Sequence, residues 1–329
     1  MASSGDFTSN ELYKHRQEWK DIEPIYNSEA EDSVVAIALR DEFLDAFAYL
    51  RAVMNKGEES ERAFELTTEC TRLNPANYSV WEYRRHLLRK LDKDLNEELD
   101  FIEESIQDNL KNYQVWHHRR EIVTWIGEKK IDMEFINSIL KDDPKNYHAW
   151  QHRVFLVRHF DVSLDSELRS TTEFISSDVF NNSAWTYRYF IIAEMSDNFE
   201  NAKILDDEIK FTLTYIKAAV NNASSWSYLS GLMDFSSYAD HPEIIDFAKE
   251  CCLSAGTKEL DISKSAETPQ ALAFLAEANV SLIEEKKAVA NSLQTARACY
   301  ERLIAIDPIR RRLWNHKLHE LLNVNAGSV

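Results

Sequence analysis

The chain has 329 residues, 44% of them hydrophobic and 11% aromatic, which is enough for a sizeable core and excludes a disordered chain. It contains only 6 glycines and 6 prolines, so sandwiches, barrels and Gly-rich nucleotide-binding folds, which need many turn residues, are disfavoured. The net charge of −18 argues against nucleic acid or an anionic membrane as the main partner, while leaving room for a local basic patch.

The amino-terminal residues contain no apolar signal core, and no run of about 18 apolar residues follows anywhere in the chain. The cysteines show no C-x-x-C spacing; they are Cys70, Cys251, Cys252 and Cys299. Together these features predict a reduced, soluble, cytoplasmic protein without stable membrane insertion.

An internal repeat organises the chain. Four segments align without gaps on tryptophans that are 35, 34 and 35 residues apart: Trp81, Trp116, Trp150 and Trp185. A degenerate copy surrounds Trp226, and a terminal copy surrounds Trp314. Residues 227–300, between them, are predicted to be helical although they lack the signature. A period of this length is typical of stacked helical repeats.

Each repeat is predicted to contain two helices. In the stretch before one signature, Leu99, Ile102 and Ile106 recur at helical spacing with acidic residues between them. An asparagine stands four residues before each of the first five tryptophans: Asn77, Asn112, Asn146, Asn181 and Asn222. Asparagine is a preferred N-cap, so we expect the second helix of each repeat to begin there.

One helix pair cannot bury the apolar face that each tryptophan shares with the leucines or valines following it, but stacked neighbours can. We therefore predict an all-α fold, an α-α superhelix in which helical hairpins stack into a crescent. It would form a single α-solenoid domain over residues 1–329, with an N-terminal arm over about residues 1–30. The tryptophans are interpreted as core between repeats.

Charge is segregated between the two helix types. Residues 92–108 carry eight acids and one lysine, whereas residues 111–120 carry three basic residues and no acid. An arginine also follows the tryptophan by three residues in four copies: Arg84, Arg119, Arg153 and Arg188. These arginines are interpreted as ion-pair partners of a neighbouring acidic helix. Two readings of the other cations stay open: a basic wall along the second helices, or pairing across adjacent helices.

Lysine precedes the capping asparagine in only two repeats, at Lys111 and Lys145. Stacking would align the positive dipole ends of the second helices along one rim, which favours a bound anion there. The two lysines are therefore a candidate site for a phosphate-bearing ligand.

Motifs for nucleotide binding or hydrolysis are missing, and no nucleophile lies beside a base. His148 and His152 have the spacing that could hold a metal on one helix face, but no acid or cysteine is evident to complete a site, so a structural role is favoured. We expect no metal site in this chain. If this chain takes part in catalysis, we expect it to contribute binding residues to a catalytic centre that lies elsewhere.

The repeated signature N-Y-x-x-W-x-x-R resembles that of the protein prenyltransferase α subunits. Longer words narrow the resemblance to the α subunit shared by farnesyltransferase and geranylgeranyltransferase type I: EWKDIEPI at 18–25, FLDAFAYLRAVMNKGEESERAFEL at 43–66, KNYQVWHHRR at 111–120 and KNYHAWQHR at 145–153. The likeness is close from about Glu18 to Trp226 and loose afterwards.

This resemblance implies that the chain acts only as a heterodimer. A β subunit, itself an α-α barrel, would hold the catalytic zinc and the isoprenoid cavity, and magnesium would accompany the diphosphate. The reaction would join farnesyl or geranylgeranyl, from its diphosphate, to the cysteine thiol of a C-terminal CaaX motif, in proteins such as small GTPases. The zinc would lower the pKa of that thiol.

The resemblance also assigns roles to residues of this chain. Lys111 matches the catalytic α-subunit lysine that reaches the diphosphate, Gln114 matches a residue that binds the terminal carboxylate of the peptide, and Tyr78 matches an aromatic residue lining the pocket for the last CaaX residue. Further matches for substrate binding surround the same opening: Tyr113, Asn146, Tyr147 and His148. Lys145 matches a family lysine for which the resemblance implies no catalytic duty.

Three other functions fit the sequence less well. The Rab geranylgeranyltransferase α subunit is disfavoured by the EWKDIEPI segment. A non-catalytic tetratricopeptide-like scaffold fits the repeat period, but this chain has arginine where the tetratricopeptide helix has leucine, three residues after the tryptophan. An RNA-processing repeat protein conflicts with the acidic charge.

Overall fold

The computed structural model describes residues 11–27, 38–127, 130–196, 199, 201–253, 261–262, 266–287 and 289–326. These ranges contain fifteen α-helices, two short 3₁₀ turns and no β-strand, so the all-α prediction is confirmed. The chain divides into two compact units, Met1–Phe160 and Asp161–Val329. The single-domain organisation stays a prediction.

The first unit contains one leading helix and three helical hairpins. The leading helix is α1 (Asp41–Lys56), and the hairpins are α2 (Glu61–Leu73) with α3 (Tyr78–Lys90), α4 (Leu95–Asp108) with α5 (Tyr113–Ile126), and α6 (Lys130–Asp142) with α7 (Tyr147–His159). The second helices of successive hairpins pack on each other, α3 on α5 and α5 on α7. Within this unit the hairpins therefore stack as the repeat predicts.

The described residues of the second unit form eight helices. They are α8 (Leu164–Ser177), α9 (Asn182–Met195), α10 (Ala202–Ala218), α11 (Ala223–Met233), α12 (Pro242–Cys252), α13 (Pro269–Glu284), α14 (Val289–Ile306) and α15 (Arg311–Ala326). Helix α11 packs on both α9 and α13. The helical prediction for residues 227–300 is confirmed over the described part of that segment, which α12, α13 and most of α14 occupy.

Residues 11–27, the described part of the predicted N-terminal arm, pack against α1 and α2, whereas the rest of that arm lies outside the described residues. Tyr13, Trp19 and Ile22 are buried in a core that they share with the first helices. Arg62 of α2 fastens the segment, because its guanidinium donates to the Asp21 carboxylate at 2.7 and 2.9 Å.

The two ends of each inter-helix turn are closed by side chains of the repeat signature. Each of the five predicted asparagines caps the second helix by accepting a backbone N–H one turn ahead, as Asn112 does from Gln114 and Val115. Each of the first five tryptophans donates its indole N–H to the carbonyl six residues earlier, as Trp116 does to Leu110 at 3.0 Å. The N-cap prediction is confirmed.

The tryptophan rings form the core between successive hairpins, as predicted. Trp116 lies against Phe135 of α6 and against His152 of α7, with ring centroids 6.0 and 5.8 Å apart. In the second unit, Trp185 lies against Phe211 of α10 and Tyr228 of α11. Trp116 and Trp185 thus each contact both helices of the hairpin that follows, which ties these repeats to their neighbours.

None of the helices in the described part of the chain is both long and apolar enough to cross a bilayer.

Candidate functional site

The predicted catalytic lysine lies in the turn between α4 and α5. Lys111 is exposed, and its ammonium group makes no ion pair with any residue that the structure describes. The turn itself is tightly held, because the carbonyl of Leu110 accepts from the Trp116 indole at 3.0 Å and from the Asn146 amide at 3.4 Å. The exposed Lys111 ammonium group therefore projects from a turn whose backbone is held by hydrogen bonds.

Exposed tyrosines stand at the first position of the three second helices in this unit. Tyr78 begins α3, Tyr113 begins α5 and Tyr147 begins α7, and they are 70%, 67% and 58% exposed. The rings of Tyr113 and Tyr147 lie 6.2 Å apart. An exposed apolar ring on a soluble surface is ordinary, but a recurring row of them is typical of a surface that another molecule covers.

The structure brings several of the predicted site residues together. Tyr113 and His148 meet edge to face with ring centroids 4.4 Å apart, and Tyr147 approaches His148 at 5.5 Å. Gln114 is half-buried at the second position of α5, beside the turn that carries Lys111. Tyr78, at the first position of α3, is the counterpart of Tyr113. Its ring makes no ring-to-ring contact with the others among the described residues.

Asn146 and His148 differ from the rest of the predicted set because they are buried. Asn146 is only 2% exposed and uses its side chain to cap α7 and to reach the Leu110 carbonyl. His148 is 7% exposed, and burial lowers the pKa of its imidazole, while a hydrogen bond with the Lys111 backbone acts in the opposite direction. Substrate binding by these two residues stays a prediction, and the contacts observed in this chain are internal.

Three of the four recurring arginines, Arg84, Arg119 and Arg188, pair with acids of the following first helix, as interpreted from the sequence. Arg84 of α3 donates twice to Glu98 of α4, at 2.7 and 2.6 Å, and Arg188 of α9 donates twice to Glu208 of α10, at 2.8 and 2.5 Å. Arg119 of α5 donates to Asp132 of α6. These cations are buried in ion pairs, so they do not contribute to a basic wall. These arginines therefore pair across adjacent helices.

Each buried acid also accepts from the second helix of its own hairpin. The donor lies two residues after the tryptophan and is histidine in the first unit and tyrosine in the second: His118 to Glu98, His152 to Asp132, Tyr187 to Glu167 and Tyr228 to Glu208. We call the acid with its donors an acid node. Asp132 is thus the acid partner of His152 that sequence reasoning missed. The separation of 20 residues, identical in all four nodes, was the available signal.

Burial shifts the titration of the node groups and of the thiols. Burial raises the pKa of the Glu98 carboxyl, but the hydrogen bond from His118 and the charge of Arg84 outweigh it, so the pKa is lowered overall. Burial raises the pKa of the Cys251 thiol to about 11 and that of Cys252 to about 12. Both thiols are therefore protonated and unreactive at neutral pH.

The chain is similar to a known repeat family and to a solved structure. The family described as "Protein prenyltransferase alpha subunit repeat" matches residues 60–91, 95–126, 131–160 and 164–195, which coincide with the hairpins α2–α3, α4–α5, α6–α7 and α8–α9. The chain is similar in structure to Candida albicans protein geranylgeranyltransferase-I complexed with GGPP. The TM-score is 0.79 and the identity 27%, over 92% of this chain and 97% of that one.

Two relatives carry the name protein farnesyltransferase/geranylgeranyltransferase type-1 subunit alpha. The Arabidopsis thaliana protein is 46% identical over 180 residues, which cover 54% of this chain and 55% of that protein, so the chain spans about half the length of this plant relative in the match. The Dictyostelium discoideum protein is 30% identical over 335 residues and 98% of both chains.

The Trp-centred hairpins, their asparagine caps and the acid nodes define a helical-repeat protein of the prenyltransferase α-subunit type, and the predicted fold class is confirmed. The chain belongs to the family of α subunits shared by protein farnesyltransferase and geranylgeranyltransferase type I. These matches do not favour the tetratricopeptide-like scaffold or the Rab geranylgeranyltransferase α subunit.

Proposed function

We propose that this chain is the α subunit of a heterodimeric CaaX prenyltransferase. With its β subunit it would transfer farnesyl or geranylgeranyl from the diphosphate to the cysteine thiol of a C-terminal CaaX motif. The proposal is supported by the end-to-end likeness to the Dictyostelium relative and by the likeness to a geranylgeranyltransferase that was solved with GGPP. The protein substrates would be CaaX proteins such as small GTPases, modified in the cytoplasm.

The observation that carries the proposal is the exposed Lys111, which has no ion-pair partner among the described residues, beside exposed tyrosines. In the transfer, the bond between the isoprenoid C1 and the diphosphate oxygen breaks as the cysteine sulfur forms the new C–S bond. The diphosphate departs with the bonding electron pair, so negative charge builds on its oxygens. A positioned ammonium group that touches those oxygens stabilises the transition state more than the ground state, which is how Lys111 would accelerate the reaction.

The neighbouring groups suit an extended peptide. The Gln114 amide can donate to a terminal carboxylate, and the faces of Tyr78 and Tyr113 offer apolar surface to the last residues of the CaaX sequence. Tyrosine is also enriched at protein interfaces. We therefore propose that the β subunit covers this edge and completes the pocket.

Zinc and magnesium enter the proposal only through the family resemblance. No group of three His, Cys, Asp or Glu side chains within the described residues could hold a metal ion, so this part of the chain does not fit a zinc site. We assign the zinc to the β subunit and the magnesium to the diphosphate. The roles proposed for the residues of this chain do not involve either ion.

The experiment that tests the proposal compares two lysines at the same repeat position. Each variant of this chain is assembled with its β subunit and assayed for transfer to a CaaX peptide. We expect Lys111→Ala to leave assembly intact and to slow transfer by roughly 10²–10³, the scale for losing one preorganised charge contact. Lys145→Ala removes the same charge one repeat further on, so we expect transfer within about threefold of the unmodified rate, well short of the loss of a transition-state contact.

Equal effects of the two substitutions would remove Lys111 from the mechanism. A chain that binds a β subunit but supports no transfer to any CaaX peptide would favour the non-catalytic scaffold instead.

A further inference from the structure

The segment around the last signature tryptophan differs from the rest of the chain in charge. Residues 308–319 contain four arginines or lysines, two histidines and no acid, although the net charge of the chain is −18. The four cations are Arg310, Arg311, Arg312 and Lys317. Four such cations in and beside one helix are typical of segments that bind an anionic lipid surface. An acidic chain therefore has a basic segment close to its end.

Contacts within the chain account for part of this charge. Arg310 pairs with the buried Asp307 at 2.7 Å, and Lys317 pairs with Glu277 of α13 at 3.2 Å. Arg311 donates through Nε to a backbone carbonyl near the end of α14 at 3.1 Å, but it forms no ion pair among the described residues. Two of the four cations are thus neutralised, and the charge of Arg311 is not.

Arg312 has no partner that would explain its presence. It is exposed, and no hydrogen bond or ion pair joins its guanidinium to any residue that the structure describes. Arg311 and Arg312 both lie in the first turn of α15, where no acid is present and where the helix dipole disfavours positive charge. Helix stability would favour aspartate or glutamate at these positions. Two arginines placed against this preference point to a binding role.

Apolar side chains are exposed beside these arginines. Ile309 directly precedes Arg310, whose carbonyl accepts the first backbone hydrogen bond of α15 from Trp314 at 3.1 Å. A hydrophobic residue at this place commonly packs on the fourth residue of the helix, which here is Trp314. Ile309 does not, because it is 94% exposed, and Leu313 in the first turn is 42% exposed. These side chains therefore project into solvent next to unneutralised cations.

We infer that a lipid-docking patch, formed by Ile309, Arg311, Arg312 and Leu313, binds the surface of an anionic membrane. The guanidinium groups would meet lipid phosphates and carboxylates, and Ile309 would enter the boundary of the acyl chains. Charge complementarity favours an anionic surface, and a protruding side chain suits a deformable lipid layer. The small patch makes the binding weak and reversible. The inference goes beyond the proposed function, in which substrates bind beside Lys111.

Co-sedimentation with vesicles tests the inference, using the full chain alone and the chain assembled with its β subunit. Vesicles of phosphatidylcholine with roughly one-third phosphatidylserine should bind both, and less so as salt is raised, whereas pure phosphatidylcholine should not. Arg311→Glu combined with Arg312→Glu should weaken binding at least tenfold, because each cation near the surface contributes a factor of about five. Ile309→Ser keeps the charge and should weaken binding about fivefold.

Two control variants separate the patch from the overall charge and from exposed apolar surface. Lys203→Glu combined with Lys210→Glu makes the same change of net charge on exposed positions of α10, and binding should stay within about twofold. Leu322→Ser removes a leucine of α15 that is 43% exposed but lies outside the patch, and it should also leave binding unchanged. All four variants change exposed side chains, so their melting temperatures should match that of the unmodified chain.

The inference would be overturned if the unmodified chain bound neither kind of vesicle or bound both equally. It would also be overturned if the Arg311→Glu and Arg312→Glu pair bound as well as the unmodified chain. Loss of β-subunit assembly in that variant, or vesicle binding that disappears in the assembled complex, would assign the patch to a protein contact instead. Transfer to a soluble CaaX peptide without vesicles should stay within about twofold in every variant. A complex that transfers no isoprenoid but still binds the vesicles would remove the proposed function and leave this inference intact.

Discussion

At the residue scale, one buried arginine differs from its counterparts. The Nη1 atom of Arg84 donates to threonine hydroxyls 17 and 16 residues earlier in the chain, and that of Arg188 does the same. In the repeat of Arg119 those two positions are Ile102 and Glu103, and Nη1 of Arg119 is buried with no hydrogen-bond partner in the described structure. A buried donor without a partner costs about 1–3 kcal/mol.

Glu103 is the group that can offset this cost. Burial lowers the pKa of Arg119, whereas the charges of Asp132 and Glu103 raise it, so the half-buried Glu103 carboxylate acts on the guanidinium. We expect Glu103→Ala to lower the free energy of unfolding by about 1 kcal/mol. The adjacent Glu104→Ala removes the same charge from an exposed position and should stay within about 0.5 kcal/mol of the unmodified protein. Urea denaturation of the full chain measures both, and equal losses would contradict the assignment.

At the element scale, each second helix is held at its beginning by two signature residues. The asparagine caps the helix, and the tryptophan closes the preceding turn while its ring fills the space between hairpins. Each tryptophan therefore stabilises the local turn and also packs between successive hairpins. This double use explains why the tryptophans recur at nearly constant spacing while their surroundings vary.

Trp116 is expected to contribute strongly to the stability of the α4–α5 hairpin. We expect Trp116→Ala to cost about 3–5 kcal/mol, because a ring that is only 4% exposed leaves a cavity. Trp116→Phe keeps most of the ring but loses the donor to Leu110, and should cost about 1–2 kcal/mol. Thermal unfolding followed by circular dichroism gives both values. An unchanged melting temperature in Trp116→Ala would contradict the core assignment.

At the scale of the whole molecule, a chain with a net charge of −18 buries several of its acids in the acid nodes. Glu98 and Asp132 have pKa values below their ordinary 4.5 and 3.8, since the hydrogen bonds and positive charges around them outweigh desolvation. Desolvation lowers the pKa of His118 below its ordinary 6.5. In each case the unfolded chain binds protons more readily than the folded chain, so all three groups make the protein less stable as the pH falls.

Because all three pKa values are lowered by folding, we expect the protein to lose stability in two stages as the pH falls. Stability from His118 is fully present above about pH 6.5 and declines as the pH falls below that value, and the carboxylates follow below about pH 4.5. His118→Tyr introduces the residue that the second unit uses at this position. We expect its melting temperature to change less between pH 7.5 and 5.5 than that of the unmodified chain, because the titrating imidazole is gone. A parallel decline in both proteins would show that His118 is not responsible.

Much of the fold, and part of the site, could be predicted because a contact that recurs in every repeat requires the same residues in every repeat. Trp81 and its copies, the capping asparagines and the signature arginines were all visible as identical residues at a regular period. The acid nodes were not, because the acid is aspartate in one repeat and glutamate in others, and its donor changes from histidine to tyrosine. The arginine also lies 14, 13 or 20 residues before its acid as the connecting turn changes length, which hides the pairing from any fixed-period comparison.

The sequence by itself determined the all-α class, the starts of the second helices and the exceptional positions of Lys111 and Lys145, since these depend on residues close together in the chain or on copying along it. Only the tertiary structure decided which acid each of Arg84, Arg119 and Arg188 meets, and that His148 and Asn146 are buried against the α4–α5 turn and the start of α5. Side chains 35 or more residues apart meet there, and which of them touch is settled by the packing of α5 against α7.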